Sequence, residues 1–122
     1  MAVSVNAMVV SALKPFGLPV AERMYRGEQD EYFFFVLADD TLADAGDDMP
    51  QAYLAFVHVH YVCPLDKPYS HMRRRIRAAL VNAGFTPPEV TDVSDLTSEA
   101  EAERVRHLVF ETSIENDYDL EV

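Results

Sequence analysis

The sequence predicts an α+β domain built as a two-layer sandwich, in which two helices cover a mostly antiparallel sheet. Three observations support this fold class. Two segments place apolar residues at helical spacing, others are rich in β-branched and aromatic residues, and the predicted strands follow one another instead of alternating with helices. A length of 122 residues suits one domain, and an apolar fraction of 49% is enough for a core. We therefore predict a single domain over residues 1–122, with disorder expected only in the acidic segment 115–122.

The first helix is predicted from apolar residues three and four positions apart. Ser4 is placed to cap it, and Pro15 should end it near Lys14. The apolar positions are Val5, Met8, Val9, Ala12 and Leu13.

The middle of the chain predicts three strands. Residues 18–26 alternate weakly, residues 27–30 form a turn, and residues 32–37 are an aromatic strand. Residues 41–50 are acidic and contain structure breakers, which predicts an exposed loop. Residues 52–62 are apolar except for two histidines, which predicts a strand partly covered on both faces.

A second helix follows Pro64, with Asp66 as its predicted cap and Pro68 in its first turn. Gly84 gives its stop signal. Its apolar face consists of Tyr69, Met72, Ile76, Ala79, Leu80 and Ala83.

The C-terminal part predicts a linker over residues 86–92 that leads into a short strand. Ser98 and Glu101 have capping-box spacing, so residues 97–103 are expected to form one or two helical turns. Residues 105–115 predict a half-buried antiparallel strand. One face carries Leu108, Phe110, Thr112 and Ile114, and the other carries His107, Glu111, Ser113 and Glu115.

The charge is strongly negative and unevenly spread. The net charge is −11, with eight acidic and no basic residues in the segment 27–50 and five basic residues against one acidic residue in the segment 51–85. Specific nucleic-acid binding is not expected, because binding to phosphates needs a basic footprint. The blocks of opposite sign fit either a solvated surface or an interface where they meet.

The sequence gives no sign of export or membrane insertion. Cys63 is the single cysteine, so no internal disulfide can form, which fits a cytosolic protein. The first charge is Lys14, so a cationic leader is not expected, and no apolar run approaches the length that spans a bilayer.

The sequence contains residue types that can bind zinc, but it lacks the motifs of catalytic and cofactor sites. The possible zinc ligands are His58, His60, Cys63, His71 and His107. Their spacing matches no compact zinc motif, so we expect no metal and interpret them as packing or interface residues. No nucleophile motif, phosphate loop or dinucleotide fingerprint occurs, so we expect no cofactor and no enzymatic activity.

An interface is the favoured site. Four arginines concentrate positive charge on the second predicted helix, opposite its apolar face, and guanidinium groups pair well with carboxylates. They are Arg73, Arg74, Arg75 and Arg77. The proposed acidic partners on a neighbouring subunit are Asp39, Asp40, Asp44, Asp47 and Asp48, with the carboxylates of residues 99–115 as the alternative. The alternative for the arginines is an ordinary solvated surface.

Several local strings follow one another in the order of the predicted elements. They are residues 13–19 (LKPFGLP), 32–37, 38–48, 57–64 (VHVHYVCP), 76–85, 86–90 (TPPEV) and 106–111 (RHLVFE). In these strings the chain resembles the small tail-terminator proteins, also called tail-completion or minor tail proteins, of long-tailed phages and prophages. The likeness covers most of the chain.

This resemblance implies a structural protein of the virion tail that is made in the host cytoplasm. Such a protein forms a homo-oligomeric ring, typically a hexamer, although isolated chains can stay monomeric. The ring caps the tail tube, ends its polymerisation and joins the tail to the head connector. The implied partners are therefore further copies of the chain, the tail tube protein and a connector or neck protein. The alternatives are a neck or head-completion adaptor and, from another class, an acidic regulator that mimics DNA.

Overall fold

A computed structural model describes residues 4–44, 52–94 and 105–117, which form two helices and five strands. The helices are α1 (Val5–Leu13) and α2 (Ser70–Asn82), and a 3₁₀ turn covers Lys14–Phe16. The strands are β1 (Val20–Glu22), β2 (Tyr32–Asp44), β3 (Ala52–Pro64), β4 (Glu89–Asp92) and β5 (Val105–Asp117).

The first helix begins and ends where the sequence predicts. The Ser4 hydroxyl accepts a hydrogen bond from the backbone N–H of Ala7 at 3.0 Å. That bond satisfies one of the free amides that every helix start exposes. Pro15 lies in the 3₁₀ turn, and Gly17 closes the turn at a φ of 72°.

The sheet has the strand order β1-β2-β3-β5-β4. The pairs β2–β3, β3–β5 and β4–β5 are antiparallel, as predicted, but β1 runs parallel to β2. The predicted strand over residues 18–26 is also reduced to three residues. Arg23 causes this, because it takes a left-handed φ of 72° while its N–H bonds to the Phe35 carbonyl. A left-handed residue cannot continue an extended strand.

The exposed loop predicted over residues 41–50 is wrong in its first part. Residues 41–44 continue β2 and pair with β3 as far as Asp44 opposite Ala52. Two register shifts interrupt this pairing, one between Leu37 and Asp39 and one between Leu42 and Asp44. Such bulges let a strand continue through a sequence without regular alternation. Residues 45–51 lie outside the described residues, as do the helical turns predicted over residues 97–103.

The second helix starts later than predicted. Tyr69, not Asp66, occupies the N-cap position, and it provides no side-chain cap. The reason is Pro68, whose ring disfavours helical geometry in the residue before it. Lys67 instead closes a turn with Pro64, and Gly84 ends the helix region at a φ of 102°.

Both helices pack on one face of the sheet, which confirms the two-layer α+β sandwich. The fully buried side chains of α1 and α2 include Val9, Leu13, Ile76 and Leu80. They meet alternate side chains of the central strands, and this periodicity of two identifies the helix-facing side of each strand. Those buried strand residues are Phe33, Phe35, Ala55, Val57, Val59, Tyr61, Cys63, Leu108, Phe110 and Ile114.

The other face of the sheet has no helix over it in the described part of the chain. We call it the open face. At one end, the ring of Tyr25 stacks on Tyr32 with 4.3 Å between centroids. Toward the other end, Phe56 is 37% exposed and Glu111 is exposed. The two faces of the sheet therefore differ in chemistry. One is packed against the helices, and the open face carries exposed aromatic and acidic side chains.

Candidate functional site

The four arginines singled out in the sequence all lie exposed on α2, but they do not form one surface. The Arg75 guanidinium lies 4.7 Å from the centroid of the Phe16 ring, and its Nη1 contacts the Met72 sulfur at 3.7 Å. Arg75 therefore turns toward the 3₁₀ turn, where a cation–π contact stabilises it. Three arginines remain on the other side of the helix.

These three arginines line a cleft of about 350 Å³ at the edge of the molecule. Tyr69 and Ser70 form its end at the start of α2, and Val90 of β4 forms its floor. We call this site, lined also by Arg73, Arg74 and Arg77, the arginine cleft. Because it is built on a helix and a strand, its charges are held on rigid elements.

A further arginine lies behind the cleft. The Arg106 guanidinium is 4.1 Å from the centroid of the Tyr69 ring and 3.4 Å from the Asp92 carboxylate. Hydrogen bonds from Ser94, and secondarily the charge of Arg106, lower the pKa of Asp92. The Arg106 Nε is buried without a hydrogen-bond partner among the described residues. Asp92 is therefore already engaged with Ser94 and Arg106.

The cleft carries net positive charge. Among the side chains that the structure describes, the ion pairs are Lys67–Glu31 and Arg106–Asp92, and neither includes an arginine of α2. Guanidinium groups bind carboxylates and phosphates with paired N–H donors. The cleft is therefore suited to an anionic ligand or an acidic surface.

The acidic residues predicted to partner these arginines lie elsewhere in the same chain. Asp39, Asp40 and Asp44 belong to β2, which is three strands away from β4 in the sheet order. At the usual strand spacing that is about 14 Å. Asp47 and Asp48 lie outside the described residues.

Sequence analysis missed a second charged site, on the open face. Glu89 of β4 stands directly opposite Glu111 of β5, and both are exposed. They line a groove of about 290 Å³ together with Phe56, His58 and Thr86. We call it the acidic groove. Strand alternation indicated that Glu111 points outward, but pairing it with Glu89 requires the β4–β5 register, which no local pattern encodes.

The histidines do not gather around a metal site. Alternation along β3 places His58 and His60 on the open face and Cys63 on the buried face against the helices. His71 is exposed on α2. In the described ranges, no three His, Cys, Asp or Glu side chains converge as metal ligands.

Two of the histidines bond to each other instead. The Nδ1 atom of His60 lies 2.7 Å from the Nε2 atom of His107, and Phe34 stacks on the His60 ring with 4.2 Å between centroids. Burial, followed by the charge of His107, lowers the pKa of His60 to about 4. Burial also lowers the pKa of His107, against the opposing effect of Asp92. Both rings are therefore neutral at pH 7, so either can supply the acceptor nitrogen of the bond between them.

A partly buried carboxylate, that of Glu31, fixes the loop before β2 to the rest of the fold. Tyr61 donates a hydrogen bond to Glu31, and Lys67 forms an ion pair with the same carboxylate. Burial acts to raise the pKa of Glu31, but the bonds from Lys67 and Tyr61 hold it below its usual value. Burial and the Glu31 bond raise the pKa of the Tyr61 hydroxyl. This cluster is structural, because all three groups are engaged with one another.

Comparison with known proteins shows a likeness in fold and none in sequence family. No family model matches the chain, and no curated protein is detectably similar in sequence. Nineteen chains of solved structures match. One of them, whose name describes no function, has a TM-score of 0.57 at 13% identity and covers 96% of each chain. At that identity the likeness shows a shared α+β fold alone.

Within the part of the chain that the structure describes, neither helix combines the length and the apolar character needed to cross a bilayer.

Proposed function

We propose that this chain is a structural assembly protein of the tail-terminator type, which forms a homo-oligomeric ring on the tail tube of a long-tailed phage or prophage. The ring ends polymerisation of the tube and offers a surface to the head connector. Its place of action is the virion tail, after synthesis in the host cytoplasm.

The arginine cleft is the observation that carries this proposal. Three guanidinium groups stand together on the rim of a chain whose net charge is −11. Another copy of a chain with this net charge offers the cleft an acidic surface. A cleft that binds a different surface of an identical copy can form a head-to-tail assembly, which closes into a ring when the rotation permits.

The acidic surface elsewhere on the chain fits the same function. A ring that ends a tail tube must let DNA pass, and an acidic lining does not bind the phosphate backbone. The arginine cleft weighs against the DNA-mimic alternative, because a cluster of guanidinium groups interrupts the acidic surface that a mimic needs.

The test is deletion of the gene from the phage or prophage that encodes it, followed by electron microscopy of the particles. We expect tail tubes of uncontrolled length, and normal tails when the intact chain is supplied in trans. Tails of normal length that lack heads would instead indicate the neck-adaptor alternative. Normal, infectious particles without the gene would refute both assignments.

A further inference from the structure

We infer that the arginine cleft of one copy binds the acidic groove of a second copy, with Arg73 and Arg77 facing the Glu89–Glu111 pair. The contact presupposes the proposed function in one respect, namely that the chain assembles with itself. Beyond that function, the inference identifies the two surfaces that are in contact.

Each surface contains a like-charge pair that makes no ion pair with a side chain that the structure describes. Arg73 and Arg77 are four positions apart on α2, so their side chains are neighbours on the helix surface. Glu89 and Glu111 are register partners across β4 and β5, so their Cβ atoms are about 5 Å apart. Like charges at such positions destabilise their own helix or sheet. A contact between the two surfaces relieves both repulsions at once.

One copy cannot bring the two surfaces together. The arginines lie in the helix layer, on one side of the sheet, and the Glu89–Glu111 pair lies on the open face, on the other. Between them stands β4, which is fixed to β5 beyond both its ends. The Thr86 N–H donates to the Ser113 carbonyl and the Val93 N–H to the His107 carbonyl, each at 2.8 Å. The complementary surface must therefore come from a second molecule.

The acidic groove has the chemistry that guanidinium groups prefer. Two carboxylates stand side by side, and the ring of Phe56, 37% exposed, lies in the same groove. A guanidinium can pair with a carboxylate through two N–H donors while its flat face packs on an aromatic ring. A lysine would attract the carboxylates through its charge alone. Arginine is therefore the more suitable residue at positions 73 and 77.

Two copies that exchanged both contacts about a two-fold axis would close as a dimer. The proposed ring needs the heterologous form of the contact, in which each copy uses its cleft toward one neighbour and its groove toward the other. Repetition of such a contact yields a closed ring or an open filament, with the rotation between copies deciding which.

The experiment uses two charge-reversed forms of the full chain, Arg73→Glu with Arg77→Glu, and Glu89→Arg with Glu111→Arg. Self-association is followed from micromolar to millimolar concentration by sedimentation velocity and by amide chemical shifts. In the unchanged chain we expect salt-sensitive shifts at both the arginine cleft and the acidic groove. Each reversed form alone should associate at least about tenfold more weakly, the low end for close charge pairs across an interface. An equal mixture of the two forms should recover association, because every contact then joins opposite charges again.

Two matched controls change the net charge equally at other exposed residues. They are Lys14→Glu with Arg26→Glu, and Glu28→Arg with Asp66→Arg, and both should associate like the unchanged chain. Circular dichroism verifies that every form is folded.

Three results would overturn the inference. The first is no concentration-dependent shift in the unchanged chain, and the second is no recovery in the mixture. The third is a cleft that responds to added duplex DNA and not to other copies of the chain. Rings that persist in both reversed forms would refute this interface and leave the proposed function standing, because gene deletion tests that function independently.

Discussion

His60 and His107 form a hydrogen bond between their rings across β3 and β5, with 2.7 Å between Nδ1 and Nε2. This bond needs at least one neutral ring to accept, and burial keeps both pKa values below the ordinary value. The unfolded chain therefore takes up protons at a higher pH than the folded chain does. Stability should consequently fall as the pH drops below about 6.5, and continue to fall toward the pKa of about 4 for His60.

We predict that unfolding the chain at pH 5 takes about 1–2 kcal/mol less free energy than at pH 7, allowing for partial solvent exposure of the rings. Urea unfolding at the two pH values measures the difference. His60→Leu should remove most of this pH dependence, whereas His71→Gln, at an exposed position, should retain it. An unchanged pH dependence in His60→Leu would show that the histidine pair is not its source.

The Glu31 carboxylate should stabilise the fold through its two partners. Glu31→Ala leaves the buried Tyr61 hydroxyl without its acceptor and Lys67 without its counter-charge, so we expect a loss of about 1–3 kcal/mol. Glu28→Ala, in the same loop but exposed, should change stability little. Equal effects of the two substitutions in urea unfolding would contradict a specific role for Glu31.

The arginine cleft should contribute little to folding. Exposed charges contribute about 0–1 kcal/mol, so Arg73→Glu with Arg77→Glu should stay within that range of the unchanged chain. Arg106→Glu is the contrasting change, because that guanidinium packs on Tyr69 and pairs with Asp92. It should melt clearly lower in differential scanning calorimetry. A large loss in the double variant would place its arginines in the internal network of the fold.

The purified protein should carry no stoichiometric zinc. Cys63 faces the helices while His58 and His60 face the opposite side of the sheet, so these three cannot share one ion. Elemental analysis tests this directly, and a chelator should leave the melting temperature unchanged. One zinc per chain would show that the histidines bind metal with ligands other than Cys63.

The sequence predicts the helices and central strands well because their signals are local. Ser4 and Gly84 mark helix ends through their own backbone and side-chain chemistry, and alternation in β5 identifies its buried face. The parallel pairing of β1 was missed because it depends on the left-handed turn at Arg23, a conformation that no residue type in that segment requires. The extension of β2 was missed because acidic composition suggested a loop, although β3 supplies a hydrogen-bonding partner.

The candidate site was predicted only in part, because some of its features depend on contacts between elements that are distant in sequence. The arginine cluster is visible in the sequence because helical spacing is regular, and its exposure was expected. The separation of Arg75 from the other three arginines was not predicted, because it depends on a contact with Phe16, a residue of another element. The Glu89–Glu111 pair depends on a strand register that only the folded sheet defines.

The position of β5 in the strand order has a consequence for how the chain matures. β5 follows β4 in sequence, yet it is inserted between β3 and β4, and its pairing with β3 joins residues as distant in sequence as Ala52 and Asp117. The β2–β3 hairpin can form early during synthesis, whereas the sheet is completed only when β5 has emerged from the ribosome. The floor of the arginine cleft and both carboxylates of the acidic groove depend on that late step, since β5 is the strand with which β4 pairs. A chain interrupted before β5 therefore lacks the groove and a fixed cleft, so a nascent or truncated copy cannot make the proposed contact.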